Sequence, residues 1–282
     1  MLKFRDWLPD KVSSHISSNP NALDYLEKNP DKINWFWLSI NPAAIPLLEK
    51  NLDKIQWTCL SSNPAAIKLL EANPDKINWH MLSENPAAIH LLQKNPEKID
   101  WYYLSANPAA IHLLEANRDN INWYMLGSNP AAVHMFEDYT ENDWFVWQQL
   151  SANPSAVPFL EKNQPLIDWF YLSKNPAAIH LITQNLDKIE WFWLSNNPAA
   201  IHLIEANLDK INWCWLSGNP SAMHILKENK DKIDWEVIWE NPAIYEYDYK
   251  GMKEKTSIFT EELMANRFHP NNLNKFEAWG YE

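Results

Sequence analysis

Histidine supplies the first candidate chemistry. Six of the nine histidines, His90, His112, His134, His180, His202 and His224, recur at one position of a repeating unit, directly after an Ile or Val, or after Met223. Metal binding needs imidazoles converging within about 2 Å of one ion, whereas stacked helical repeats hold successive side chains roughly 8 to 10 Å apart. The series therefore reads as a solvated or inter-repeat row, with proton sensing as its alternative chemistry. Pro46, Lys68 and Pro158 fill the same slot elsewhere. Acid neighbours such as Glu137 with Asp138, or Glu261 with Glu262, diverge by about 100° on a helix and suit a solvated face better than acid-base work. No HExxH, CxxC or Ser-His-Asp frame appears. The 4 glycines, Gly127, Gly218, Gly251 and Gly280, lie too far apart for any phosphate-cradling loop. These absences point to a non-enzymatic protein without cofactor or metal.

The second candidate chemistry is aromatic stacking. A Trp stands at positions 35, 57, 79, 101, 123, 147, 169, 191, 213 and 235. Its constancy, and its place on one helical stripe with residues such as Leu38, assign it to the core rather than to a stacking platform. The next residue varies: Phe36, Thr58, His80, Tyr102, Tyr124, Gln148, Phe170, Phe192, Cys214 and Glu236. Variation inside a fixed frame marks Phe36, Tyr102, Tyr124, Phe170 and Phe192 as the candidate partner-binding residues. Ile40, Ser62, Glu84, Lys174 and Glu240 occupy a second variable position pointing the same way.

The elements that must position these rows follow from a 22-residue period. Asn-Pro begins at residues 19, 41, 63, 85, 107 and 129 and, after one step of 24, at 153, 175, 197, 219 and 241. Asn before Pro is suited to cap a helix with Pro at its first position, and Ala43, Ala44, Ile45, Leu47 and Leu48 continue that helix. Asn51 is expected to end it in the left-handed conformation. A second short helix starts at the Trp, behind a cap-type residue such as Asn78 or Asp100. A leucine-rich repeat is excluded, because its strand would need an apolar residue two after Leu38, Leu60 or Leu82, where Ile40, Ser62 and Glu84 stand. One unit cannot bury its apolar stripe alone, so neighbours must stack. The expectation is an all-α fold, an α-solenoid of about ten to eleven two-helix repeats, elongated and curved over roughly 80 to 100 Å. Residues 1–18 read as a degenerate N-terminal cap, 19–241 as the solenoid with an irregular insertion near 137–147, and 242–282 as a C-terminal helical cap or small module. In that module, helices are expected over Tyr245 to Lys253, Thr260 to Phe268 and Pro270 to Trp279.

The repeats from Asn85-Pro-Ala-Ala-Ile-His-Leu-Leu92 to Ile99-Asp-Trp101 resemble the Asn-Pro and Trp repeat proteins that large DNA viruses of algae and protists encode in expanded families. The tail from Glu261 through His269-Pro270 to Trp279-Gly-Tyr281 is similar to the closing segment of that family. It departs from the pattern at Asn271 and Asn272, where a basic residue is usual. A more distant similarity is to leucine-rich variant repeats, which implies that the Trp helix is partly 3₁₀. The resemblance implies a viral source and a fold class, and no activity.

Formal net charge is −12 over 282 residues, which disfavours tracking a phosphate backbone or an anionic membrane. No apolar run reaches membrane-span length, the N-terminus has no signal-like stretch, and Cys59 and Cys214 are the only cysteines. The expectation is a scaffold for a protein partner, either a host or a virion protein. It would be cytoplasmic or nuclear in an infected cell, or virion-associated, and not secreted. The alternatives are a single-stranded nucleic-acid reader stacking one base per aromatic ring, which the acidic charge opposes, and a purely structural virion or spacer protein.

Overall fold

The computed structural model describes residues 2–137, 139, 143–254 and 256–257. They fall into a repeat body, Pro9–Ala243, and a smaller unit made of the residues before Pro9 and after Ala243. The repeat body is an all-α solenoid.

The unit around Asn85 shows how local chemistry builds one repeat. Asn78 caps the helix Trp79–Glu84 by accepting from the Met81 amide at 3.1 Å. Asn85 is extended and accepts from the Ala87 amide at 3.0 Å, which opens a 3₁₀ turn, Pro86–Ala88, that runs into the α-helix Ile89–Lys94. Two sequence expectations are corrected here. The 3₁₀ turns lie at the Asn-Pro start and in the link Pro96–Lys98, while the Trp helix is α from Trp35–Ile40 to Trp213–Ser217 and 3₁₀, as the distant similarity implied, only at Val237–Glu240 and Ser14–Ser18. Nor is the closing Asn left-handed: Asn51 has φ −139°, and its side chain ends the helix by donating to the Leu47 carbonyl at 2.9 Å.

Repeats are joined by a buried polar ladder. Asn107 donates through Nδ2 to the carbonyls of Ser83 and Asn85 in the preceding repeat, at 2.9 and 3.1 Å, while its Oδ1 accepts from Ala109. Fully used in this way, a buried amide avoids the cost of an unpaired polar group. The buried Ser83 donates to the Trp79 carbonyl and accepts from the Asp100 amide of the next repeat. Leu82, Ala88 and Leu92, with their counterparts, have no exposed surface and fill the space around the ladder.

The repeated Trp does not belong to that fully buried layer. It is half-buried in nine of its ten positions, from Trp35 to Trp235, the exception being Trp147. The indole instead forms a ledge under the lysine of the following link: Lys54 lies 5.0 Å from the Trp35 ring centre, Lys98 4.5 Å from Trp79, and Lys232 4.6 Å from Trp213. A cation over an indole face is attracted by the ring quadrupole, which gives the lysine of the link its role. Trp147 is buried where Leu166 replaces that lysine and Phe159 stacks on the ring at 5.6 Å.

The ladder has no end. Asn19 donates to the carbonyls of Trp239 and Asn241, at 3.3 and 3.1 Å, just as each later Asn donates to the repeat before it. Asn21 reaches Pro242, Ser13 bonds Glu236, and His15 lies 3.2 Å from Glu240. The segment Ser14–Ser18 therefore does not cap an open stack; it takes the Trp-helix place of the first repeat, packed between Val237–Glu240 and Trp35–Ile40. Residues 9–243 form a closed ring of repeats, and the expected open, elongated arrangement of this body is overturned. Successive Trp helices from Trp35–Ile40 to Trp169–Leu172 pack side by side, whereas the helices after Asn-Pro meet their neighbours through 3₁₀ starts. In a closed ring the more closely spaced set lies at the smaller radius, so the Trp helices form the inner circle.

The 24-residue step stays inside the ring. The helix after Asn129 shortens to the 3₁₀ turn Val133–Phe136, and the next Trp helix lengthens to Trp144–Ala152. Part of the insertion, residues 138 and 140–142, lies outside the described residues. In the smaller unit, Leu2–Phe4 pairs antiparallel with Tyr245–Tyr247, so Tyr245 opens a strand and not the expected helix. A helical turn follows over 249–254, and the helices expected over Thr260 to Phe268 and Pro270 to Trp279 lie outside the described residues.

Candidate functional site: the aromatic face of the inner helices

Each Trp helix is only four to six residues long in most repeats, and it buries its Leu and Ser toward the ladder. The two positions after the Trp are thereby left facing away from the core. Phe36, Tyr102, Phe170 and Phe192 are 42 to 48% exposed, while Tyr124 is half-buried. Four of the five expected partner-binding residues thus stand open, and Tyr124 is the least available of the set.

Sequence reasoning passed over the second position, occupied by Trp37, Tyr103, Tyr171, Trp193 and Trp215. These rings are half-buried and tie the exposed ones into clusters. Phe36 meets Trp37 edge-on at 5.1 Å, and Tyr102 meets Tyr103 at 5.2 Å. Between repeats, Phe170 meets Trp193 at 5.4 Å, Phe192 meets Trp215 at 5.7 Å, and Trp193 meets Trp215 at 5.1 Å. The signal was present in the doubled aromatics Phe36-Trp37, Tyr102-Tyr103, Phe170-Tyr171 and Phe192-Trp193. Lys174 lies over Tyr171 and Trp193 at 4.8 and 5.3 Å, and burial pushes its ammonium below the usual lysine range.

The histidine row lies elsewhere, on the helices after Asn-Pro, and it is an inter-repeat row. His90 pairs with Glu71 at 2.9 Å, His134 with Glu115 at 3.2 Å and His180 with Glu161 at 2.8 Å; His224 bonds Glu205 and His112 bonds Gln93. For His202 the corresponding position holds Thr183. Each imidazole reaches back to the preceding repeat rather than converging with its peers. No group of three His, Cys, Asp or Glu among the described residues is placed to hold a metal ion. A separate groove of about 770 Å³ opens beside the shortened helix at Val133–Phe136, walled by Phe136, Tyr139, Trp147 and Phe159 with Lys162 and Glu137 at its edge.

No protein-family model matches the chain, and no curated protein or solved structure matches it either. No helix among the described residues is long and apolar enough to cross a membrane.

Proposed function

We propose that the ring is a non-enzymatic scaffold for protein-protein interaction, with the aromatic face of its inner helices as the partner surface. The observation that carries this reading is the contrast between a frame repeated almost residue for residue and the exposed Phe36, Tyr102, Phe170 and Phe192 set on it. Large aromatic rings held rigidly at a surface are the usual anchors of an interface, and the cluster running from Phe170 through Trp193 and Phe192 to Trp215 supplies an apolar patch that spans three repeats. The resemblance to the repeat proteins of large DNA viruses supports a viral source and a partner from the host cell or the virion.

Changing Phe36, Tyr102, Tyr124, Phe170 and Phe192 together to Ser tests the reading. The five-fold variant is expected to keep its helical circular dichroism and to lose capture of the proteins that the native chain retains from host or virion lysate. Undiminished capture contradicts the assignment of this face. Loss of oligonucleotide binding that also falls steeply with salt supports the nucleic-acid reading instead, and an absence of any retained protein favours a structural role.

A further inference from the structure

Closure of the ring brings together residues that are distant in the chain. Going around the inner circle, the position after the Trp is occupied by Phe192, Cys214, Glu236, then Ser14 across the seam, then Phe36. Glu236 accepts from Ser13, and Glu240 lies 3.2 Å from Nδ1 of His15, whose ring packs at 5.8 Å against Trp37. Phe192 with Trp215 on one side and Phe36 with Trp37 on the other therefore flank two exposed carboxylates.

From this arrangement we propose that the seam arc binds an Arg- or Lys-rich segment of the partner, with side-chain cations lying over the aromatic rings and pairing with Glu236 and Glu240. The proposal rests on the scaffold reading and names the chemistry of its partner. Charge complementarity supports it: the chain carries a formal net charge of −12, and an exposed aromatic strip beside carboxylates attracts cations by both ring quadrupole and charge. A carboxylate accepts through two oxygens, so Glu236 keeps acceptor capacity beyond the bond from Ser13 to its Oε2. The molecule also holds its own ammonium groups in this way, over Trp35, Trp79, Trp169, Trp191 and Trp213 at 4.5 to 5.1 Å. The basic groups beside the arc include His15 within it, Lys174 at one end, Lys11 beside Glu236 in a small pocket at the seam, and Lys54, Lys210 and Lys232 over Trp35, Trp191 and Trp213, which leaves the rings of Phe36, Phe192, Trp37 and Trp215 for a partner's cations. Beside the arc, burial tends to raise the Asp234 carboxyl. That effect is outweighed by the bonds it accepts from the Val237 amide, Cys214 and the Glu236 amide, which hold it below the ordinary carboxylate range.

The test is fluorescence anisotropy of the full chain with a labelled peptide alternating Arg and Gly, its citrulline counterpart, and an acidic counterpart alternating Glu and Gly. The native chain is expected to bind the Arg peptide and to ignore the other two. E236Q/E240Q, which keeps an oxygen to accept from Ser13, is expected to weaken binding about tenfold, the size of one lost charge-assisted contact. E49Q/D119N removes the same charge from an exposed position on the helix Ile45–Glu49 and from an exposed link, Arg118–Asn120, repeats away from the seam, and is expected to leave affinity unchanged. Equal loss in both double variants, or none in E236Q/E240Q with its melting curve intact, overturns the proposal. Native binding of the acidic or citrulline peptide, lost in the five-fold aromatic variant, overturns the basic specificity while the interaction face stands. Arg-peptide binding that survives the five-fold variant overturns the face itself.

Discussion

At the scale of single residues, the ladder asparagine has two separable jobs. As a helix cap its oxygen accepts from the amide two residues on, a role that Asp fills equally well. As a ladder rung its nitrogen donates to two carbonyls of the preceding repeat, which Asp cannot do. Asn107→Asp is therefore expected to cost about 3 kcal/mol or more, because two buried acceptors lose their donor and a carboxylate is pressed against them. Urea unfolding measures this; a near-neutral N107D substitution would reduce the residue to a cap. The half-buried Trp residues make the complementary point. Trp101→Ala is expected to destabilise more than Tyr102→Ala, since Trp101 is half-buried on its helix whereas Tyr102 is 44% exposed, and equal denaturation midpoints would contradict the assignment of the two positions.

At the scale of elements, the 24-residue step explains why one serine is missing from the ladder, whose asparagine rungs continue across the step through Asn153. The position of Ser83 and Ser105 is taken by Gly127, and a Cβ there would lie 2.9 Å from the Gln149 Cβ and 3.1 Å from the Val146 carbonyl oxygen. The lengthened helix Trp144–Ala152 crowds this point, so restoring the repeat pattern with Gly127→Ser is expected to destabilise by about 1 to 3 kcal/mol. Thermal melting showing a stabilised G127S chain would contradict the close approach. The two helices per repeat, their Asn-Pro starts and the buried Leu and Ala layer were legible from the 22-residue period, because capping and stripe patterns are local. The inter-repeat donors of Asn and Ser were not. The capping preference of Asn already accounts for its presence, and a serine beside a leucine gives no sequence sign that its hydroxyl bridges two repeats. The candidate site was half legible: the variable position was visible, but Trp37, Trp193 and Trp215 beside it were hidden by the expectation that the preceding Trp was the core aromatic.

At the scale of the whole repeat body, closure depends on the sum of small rotations between repeats, which no single unit encodes visibly. An open stack leaves two terminal faces that need polar caps; the ring has none, since Asn19 takes its partners from Trp239 and Asn241. The weak resemblance of residues 9–18 to a repeat is thus the mark of a joint, where Ser13 stands in the Trp position and Trp239 in the Ser position. Closure is the central claim, because it creates the seam arc and places the aromatic strip on the inner circle. Its most direct measurement is the distance between spin labels on Asn21→Cys and Ser221→Cys in a chain with Cys59 and Cys214 replaced by Ser. Both labelled positions are exposed, nine repeats apart along the chain and two apart across the seam. The ring requires a distance of about 20 Å plus label tethers, matching that of an Asn21→Cys, Ala65→Cys pair two repeats apart along the chain; a separation near the roughly 70 to 90 Å of nine stacked helix spacings would contradict it.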